Sequence, residues 1–134
     1  MNRPRKVLSI TGLLSIVKKT FDAIKDKNSE WKNRATSQLT RSDCLMSALA
    51  IFSLKYDSLL QFDNHYNGSE VVRHNLRTLY GVEQAPSDTY MRERLDEINP
   101  FELRKPFKAI FAQVQKGKAL EPFKFINGYY LLSN

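Results

Sequence analysis

Residues 42–55, Ser-Asp-Cys-Leu-Met-Ser-Ala-Leu-Ala-Ile-Phe-Ser-Leu-Lys, contain the longest apolar run of the chain and decide its fold. On a helix over about 43–55, apolar side chains occupy nearly every face, which is typical of a buried central helix. Ser42 is a favourable N-cap residue for this helix. The run is too short to span a bilayer, which needs about 20 apolar residues. The sequence therefore predicts a helical fold around this segment, with no membrane partner.

Four further helices are expected around this central one, because apolar residues recur at helical spacing. Their approximate bounds are 10–27, 70–80, 88–98 and 105–117. Between them, residues 28–41 form a polar loop from which Trp31 packs back onto the core, and Asn64 to Gly68 is a turn. Asp57 is expected to cap a short helical continuation.

Serine, glycine and proline residues set the helix ends. Ser69 and Ser87 are N-caps, and Gly81 stands where a left-handed C-cap is expected. Pro106 is compatible with the first turn of the last helix, which Gly117 ends. The stripe Phe101, Phe107 and Phe111 is expected in the core. The predicted fold class is mainly α, a helical bundle.

The end of the chain has a different pattern. Residues 123–126 and 129–132 are rich in β-forming side chains and flank Asn127-Gly128. Asn-Gly between such segments is the strongest short-range signal for a β-hairpin, because both turn residues need a positive φ. A single hairpin is marginal in water. Since the sequence ends at Asn134, residues 120–134 are expected to begin a sheet-containing domain.

The charge is concentrated at one end of the chain. The 134 residues carry a formal net charge of +7. Residues 1–41 account for +7, residues 42–81 for −1 and residues 82–134 for +1. A basic N-terminal arm favours an anionic partner, with nucleic acid ahead of an acidic membrane surface.

The helices 70–80 and 88–98 have the outline of a helix-turn-helix motif, in which the start of the second helix reaches base edges. The predicted DNA-binding residues are basic or hydroxyl-bearing side chains on this pair and on the N-terminal segment. Base contacts are expected from Ser87, Thr89 and Arg92, and phosphate contacts from Arg73, Arg77, Lys18, Lys19 and Arg34. An ordinary helical hairpin with solvated charges is the alternative, since the six-residue connection exceeds the usual tight turn.

The sequence contains little that indicates catalysis or metal binding. The single cysteine, Cys44, excludes an internal disulfide and fits a small buried side chain in a cytoplasmic protein. His65 and His74 have no acidic or thiol partner at ligand spacing. No phosphate loop or nucleophile motif is present. The chain is therefore expected to need no cofactor.

Three stretches resemble the N-terminal region of bacterial insertion-sequence transposases of the DDE type. These are residues 44–56, CLMSALAIFSLKY; residues 84–97, QAPSDTYMRERLDE; and residues 128–133, GYYLLS. The middle stretch is the most specific, because helix periodicity does not dictate the order of its polar residues. The resemblance covers most of the chain from about residue 40 onward.

The resemblance implies a helical DNA-binding region ahead of a ribonuclease-H-like catalytic domain, in which two Asp and one Glu bind two divalent metals. The family's first catalytic Asp follows a strand like 129–133, and the sequence ends before it. No catalytic residue is therefore carried over, and Mg²⁺ is expected only for a full-length enzyme. The chain alone is expected to bind DNA and to cut nothing.

The resulting prediction is the DNA-binding portion of a transposase that recognises insertion-sequence ends. Its expected parts are a basic helix and linker (1–41), a helical DNA-binding domain (42–119) and the first hairpin of a catalytic domain (120–134). Two alternatives remain: a helical module that pairs with other transposase chains, and an inactive transposase remnant.

Overall fold

A computed structural model describes residues 8–24 and 39–130. Over these residues the fold is mainly α-helical, as predicted, with six α-helices. They are α1 (Ile10–Asp22), α2 (Arg41–Ser53), α3 (Leu59–Gly68), α4 (Glu70–Asn75), α5 (Asp88–Asp96) and α6 (Arg104–Lys116). A π-helical turn, Leu76–Tyr80, continues α4, and a 3-10 turn, Pro100–Leu103, precedes α6.

Helix α2 is the buried centre of the fold, which confirms the prediction for the apolar run. It packs against α1, the π turn and α5. The predicted N-cap is wrong, since Ser42 lies inside the helix and is buried. Thr40 caps α2 instead: its hydroxyl accepts from the Asp43 N–H at 3.0 Å, and its own N–H donates to the Asp43 carboxylate at 3.3 Å. This reciprocal capping box satisfies two orphan donors at once.

Helix α3 extends through the residues that were predicted to form a turn. Ser58, rather than Asp57, is its N-cap, and the Ser58 hydroxyl accepts from the Gln61 N–H at 3.0 Å. Phe62 is completely buried in the core and lies against the rings of Tyr56 and Tyr66. Tertiary packing of this apolar face therefore outweighs the turn preference of Asn64 to Gly68.

Gly81 ends the α4–π segment in the left-handed conformation that the sequence predicts, with φ 65°. The N–H groups of Gly81 and Val82 both donate to the Leu76 carbonyl. The Lys18 ammonium of α1 donates to the Gly81 carbonyl at 2.5 Å. This contact ties the end of the segment to α1.

Helices α1 and α6 pack against each other and run antiparallel. Leu8 lies against Gly117, where an added Cβ atom would overlap the leucine side chain. At the other end, Phe21 and Pro106 line the same cleft. Helix α6 begins at Arg104 with Pro106 in its first turn, as predicted. Residues 25–38, including the end of the predicted first helix and the Trp31 loop, lie outside the described residues.

The aromatic stripe that was predicted to be core is exposed, so that prediction is wrong. Phe101 and Phe107 are 67% and 74% exposed, and Phe111 is 49% exposed. Helix α6 instead packs against its neighbours through the side that carries Pro106 and Ile110. Periodicity places Phe107 and Phe111 adjacent to that side, and no neighbouring helix among the described residues covers them.

The segment after α6 contains an antiparallel bridge between Lys124 and Tyr130. Between these residues, Asn127 and Gly128 have φ values of 58° and 79°. The Phe125 N–H donates to the Tyr129 carbonyl at 2.6 Å. No strand is assigned within the described residues, and residues 131–134 lie outside them. The hairpin therefore stays a prediction.

Candidate nucleic-acid interface

The two helices of the predicted helix-turn-helix pair are present but do not pack mainly on each other. Helix α5 packs chiefly against α2 and α3. The α4–π segment packs against α1, α2 and α3. In the helix-turn-helix motif the two helices meet across a short turn. Here the central helix α2 contacts both members of the pair, so its position determines their relative orientation.

The connection between the two helices is held at both ends by side chains from other elements. The Glu83 N–H donates to the buried Asp43 carboxylate of α2 at 3.4 Å. The Asp88 N–H donates to Asp63 of α3 at 3.3 Å. Together with the Lys18 contact at Gly81, these bonds anchor the connection to three helices.

Two of the predicted phosphate contacts are used to hold helix ends. Arg73 is half-buried, and one of its guanidinium nitrogens donates to the carbonyls of Tyr66 and Asn67 at 2.8 and 3.0 Å. It therefore satisfies acceptors at the end of α3, a position that the helix dipole also favours for a cation. Lys18 acts in the same way at Gly81.

Other predicted contacts lie at the surface in ion pairs or at a helix cap. The Arg77 and Glu83 side chains approach to 3.6 Å, and the Arg92 and Asp88 side chains to 2.7 Å. The Ser87 hydroxyl caps α5, as predicted, by accepting from the Tyr90 N–H at 3.4 Å. Exposed pairs of this kind contribute about 0–1 kcal/mol. Their arginines can therefore exchange a carboxylate for a phosphate.

Lys19 and Thr89 are exposed at the end of α1 and the start of α5. Arg34 lies outside the described residues. The described members of the predicted set are thus distributed over α1, the α4–π segment and α5.

A cationic surface on α6 and the turn that follows it is not among the predicted sites. Residues 104–118 contain five cations and no acidic residue. Lys108, Lys116 and Lys118 are exposed, and none has an ion-pair partner among the described residues. Lys105 pairs with Glu102 at 2.6 Å, and the Arg104 guanidinium lies 4.9 Å from the centre of the Phe101 ring.

The excess of positive charge on α6 can be read from the sequence, but a charge count over a longer segment conceals it. Residues 82–103 hold six acidic residues against two arginines, whereas residues 104–134 hold six cations against one glutamate. Counting 82–134 as one block gives only +1. A count by helix separates the acidic α5 region from the basic α6 region.

The two histidines lie apart from each other in different surroundings. His65 is exposed, and its Nδ1 lies 2.6 Å from the Tyr56 hydroxyl. His74 is exposed on α4. Across residues 8–24 and 39–130, no group of three or more His, Cys, Asp or Glu side chains is placed to hold a metal ion. None of the helices in these ranges is long and apolar enough to cross a membrane.

Cys44 is completely buried in α2, and this burial governs its reactivity. Desolvation, with a further contribution from the Asp43 charge, raises the pKa of its thiol from 9.0 to about 12. The thiol is therefore protonated at neutral pH and inert, because the thiolate is the nucleophile.

We expect the native protein to react with a thiol reagent such as DTNB only when it unfolds. Because the pKa of the Cys44 thiol is higher in the folded protein than in the unfolded one, the protonated thiol adds to the free energy of unfolding below pH 9. This contribution is lost between pH 9 and 12. Urea unfolding at pH 7 and at pH 10 should show the loss, and Cys44→Ala should reduce it. Fast labelling in the absence of denaturant would contradict the burial of this thiol.

No protein-family profile matches the chain, and neither a curated protein nor a solved structure is significantly similar to it.

Proposed function

We propose that this chain is a DNA-binding domain, and that it serves as the end-recognition part of an insertion-sequence transposase in the bacterial cytoplasm. The observation that carries the DNA-binding part is the cationic surface on α6 and the following turn, where Lys108, Lys116 and Lys118 are exposed and have no carboxylate partner within the described part of the chain. The transposase part rests on the resemblance of residues 84–97.

The net charge of +7 and its distribution support a phosphate-binding role. Lysines that neutralise phosphates release condensed counterions, and this release drives much of protein–DNA affinity. Such contacts orient a protein on the duplex without reading its sequence. Thr89, exposed in the first turn of α5, is the candidate for a base contact.

The proposal gives the predicted residues different roles. Lys18 and Arg73 stabilise helix ends, so their replacement is expected to act on folding before it acts on DNA. Arg77 and Arg92 remain candidate phosphate contacts. Mg²⁺-dependent strand transfer belongs to the full-length family enzyme, and no step of it is assigned to the described residues.

Reversing one charge on α6 tests the proposal. We expect Lys108→Glu to weaken binding to a duplex roughly tenfold in low salt and to lower the slope of log affinity against log salt by about one. Fluorescence anisotropy with a labelled duplex of about 20 base pairs, titrated at several salt concentrations, measures both quantities.

The matched control is Lys55→Glu, which reverses the charge of an exposed lysine between α2 and α3. It should change the affinity for the duplex much less, because Lys55 lies outside the cationic surface on α6. Both variants have the same net charge, so only the position of the reversed charge differs. Equal losses in the two variants would indicate non-specific attraction to a basic protein. An unchanged affinity in Lys108→Glu would remove α6 from the proposed interface.

A further inference from the structure

An apolar cleft with a volume of about 260 Å³ opens between α2 and α6, with α1 at its base. Helix α1 packs closely on both of these helices. The cleft is lined by Val17 and Phe21 of α1, Leu45 and Leu49 of α2, and Pro106 and Ile110 of α6. Helices α1, α2 and α6 thus surround three sides of a space that a further apolar element can fill.

Two phenylalanines that line the cleft are also largely exposed. Phe52 of α2 is 81% exposed, and Phe107 of α6 is 74% exposed. Exposed aromatic side chains beside an apolar cleft are typical anchors of a protein–protein interface. The cleft extends over about two helical turns on each wall, which matches the groove that an amphipathic helix occupies.

The charges beside the cleft favour one kind of partner. On α6, Phe107 and Phe111 form one i, i+4 row, and Arg104 and Lys108 form the next row outward. No acidic residue lies on α6, and Lys108 has no ion-pair partner among the described residues. A helix seated between α2 and α6 would meet these cations along its flank, so acidic residues there would be favoured.

A second copy of this chain is a poorer occupant. Each copy carries a net charge of +7, and the same cationic row would approach its own counterpart. Like charges brought together at an interface are unfavourable.

We propose that the cleft between α2 and α6 binds an amphipathic helix of a partner protein, with large apolar side chains at i, i+3 or i+4, and i+7 and acidic residues on one flank. The apolar side chains enter the cleft beside Phe52 and Phe107. The acidic flank pairs with Arg104 and Lys108.

The experiment uses the full chain and a synthetic helical peptide of about 18 residues, long enough to form several turns. The peptide has leucine and phenylalanine at the spaced positions and glutamate on its flank. A matched peptide has lysine in place of each glutamate. Fluorescence anisotropy is expected to show binding of the acidic peptide and at least roughly tenfold weaker binding of the basic one, a difference of about 1.4 kcal/mol.

Variants of the chain locate the peptide. Phe107→Ser and Lys108→Glu should each weaken the binding of the acidic peptide roughly tenfold. Val71→Ser is the control, because Val71 is 68% exposed on α4 and lies outside the cleft. All three positions are exposed, and circular dichroism checks that each variant is folded.

Three outcomes would overturn the proposal. The first is equal binding of the acidic and basic peptides or binding of neither. The second is a concentration-dependent dimer that Phe107→Ser abolishes, which would make a second copy the occupant. The third is loss of duplex affinity in Phe107→Ser without any peptide binding, which would make the cleft part of a nucleic-acid surface. If DNA binding fails while the peptide still binds, only the proposed function is lost.

Discussion

Replacing Phe62 with alanine is expected to lower the free energy of unfolding by about 3–5 kcal/mol. Phe62 has no exposed surface and lies among core residues from several helices. The Tyr56 ring meets it edge-on at 5.3 Å, and the Tyr66 ring stacks on it at 6.3 Å. Truncation removes these contacts and leaves a cavity that the surrounding helices only partly close.

Urea unfolding followed by circular dichroism measures this loss. The matched control is Phe52→Ala, the same chemical change at an 81% exposed position. It should alter stability by no more than about 0.5 kcal/mol. Similar losses in the two variants would mean that Phe62 is not a core residue. Since small domains have a total stability of about 5–15 kcal/mol, Phe62→Ala is also expected to unfold at a much lower temperature.

Replacing Arg94 with alanine is expected to lower the free energy of unfolding by about 2–3 kcal/mol. This is less than the loss expected for a fully buried ion pair, because Glu97 remains partly hydrated. The Arg94 side chain is only 4% exposed, and one of its nitrogens lies 3.2 Å from each Glu97 carboxylate oxygen. Its guanidinium carbon lies 5.2 Å from the centre of the Tyr90 ring. Truncation therefore removes an ion pair, a cation–π contact and buried aliphatic volume together.

Two further variants separate these contributions, again by urea unfolding. Arg92→Ala, two residues earlier on α5, removes an ion pair with Asp88 from a side chain that is 64% exposed. It should cost at most about 1 kcal/mol. Arg94→Met keeps the aliphatic volume and should recover part of the loss if packing is the main contribution. If Arg92→Ala lowers the free energy of unfolding as much as Arg94→Ala does, burial does not determine how much each arginine contributes to stability.

The cations of this protein illustrate why charge alone does not identify a binding site. Arg73 and Arg77 lie four residues apart in sequence, yet Arg73 donates to two carbonyls at the end of α3, whereas Arg77 faces solvent. The difference depends on where the end of α3 lies in space. Conversely, Lys108 and Lys116 have no ion-pair partner among the described residues, and residues 104–118 contain no acidic residue.

The local features could be predicted because they depend on neighbouring residues. Ser69 and Ser87 cap helices, Gly81 adopts a left-handed conformation, and Pro106 lies in the first turn of α6. The apolar run in residues 42–55 was sufficient to identify the central helix, because a helix without a polar face has to be covered by others.

The tertiary structure decided which faces of the other helices are covered and which cations remain available. Periodicity shows that Phe107 and Ile110 lie on related faces of one helix, but only the position of α1 determines that Ile110 packs inward while Phe107 is exposed. Long-range bonds, such as the one between Lys18 and Gly81, join residues that are far apart in sequence. The sequence alone determined most of the helices, several of their caps and the excess of positive charge, whereas packing between distant segments determined the full extent of α3 and the surfaces that remain exposed.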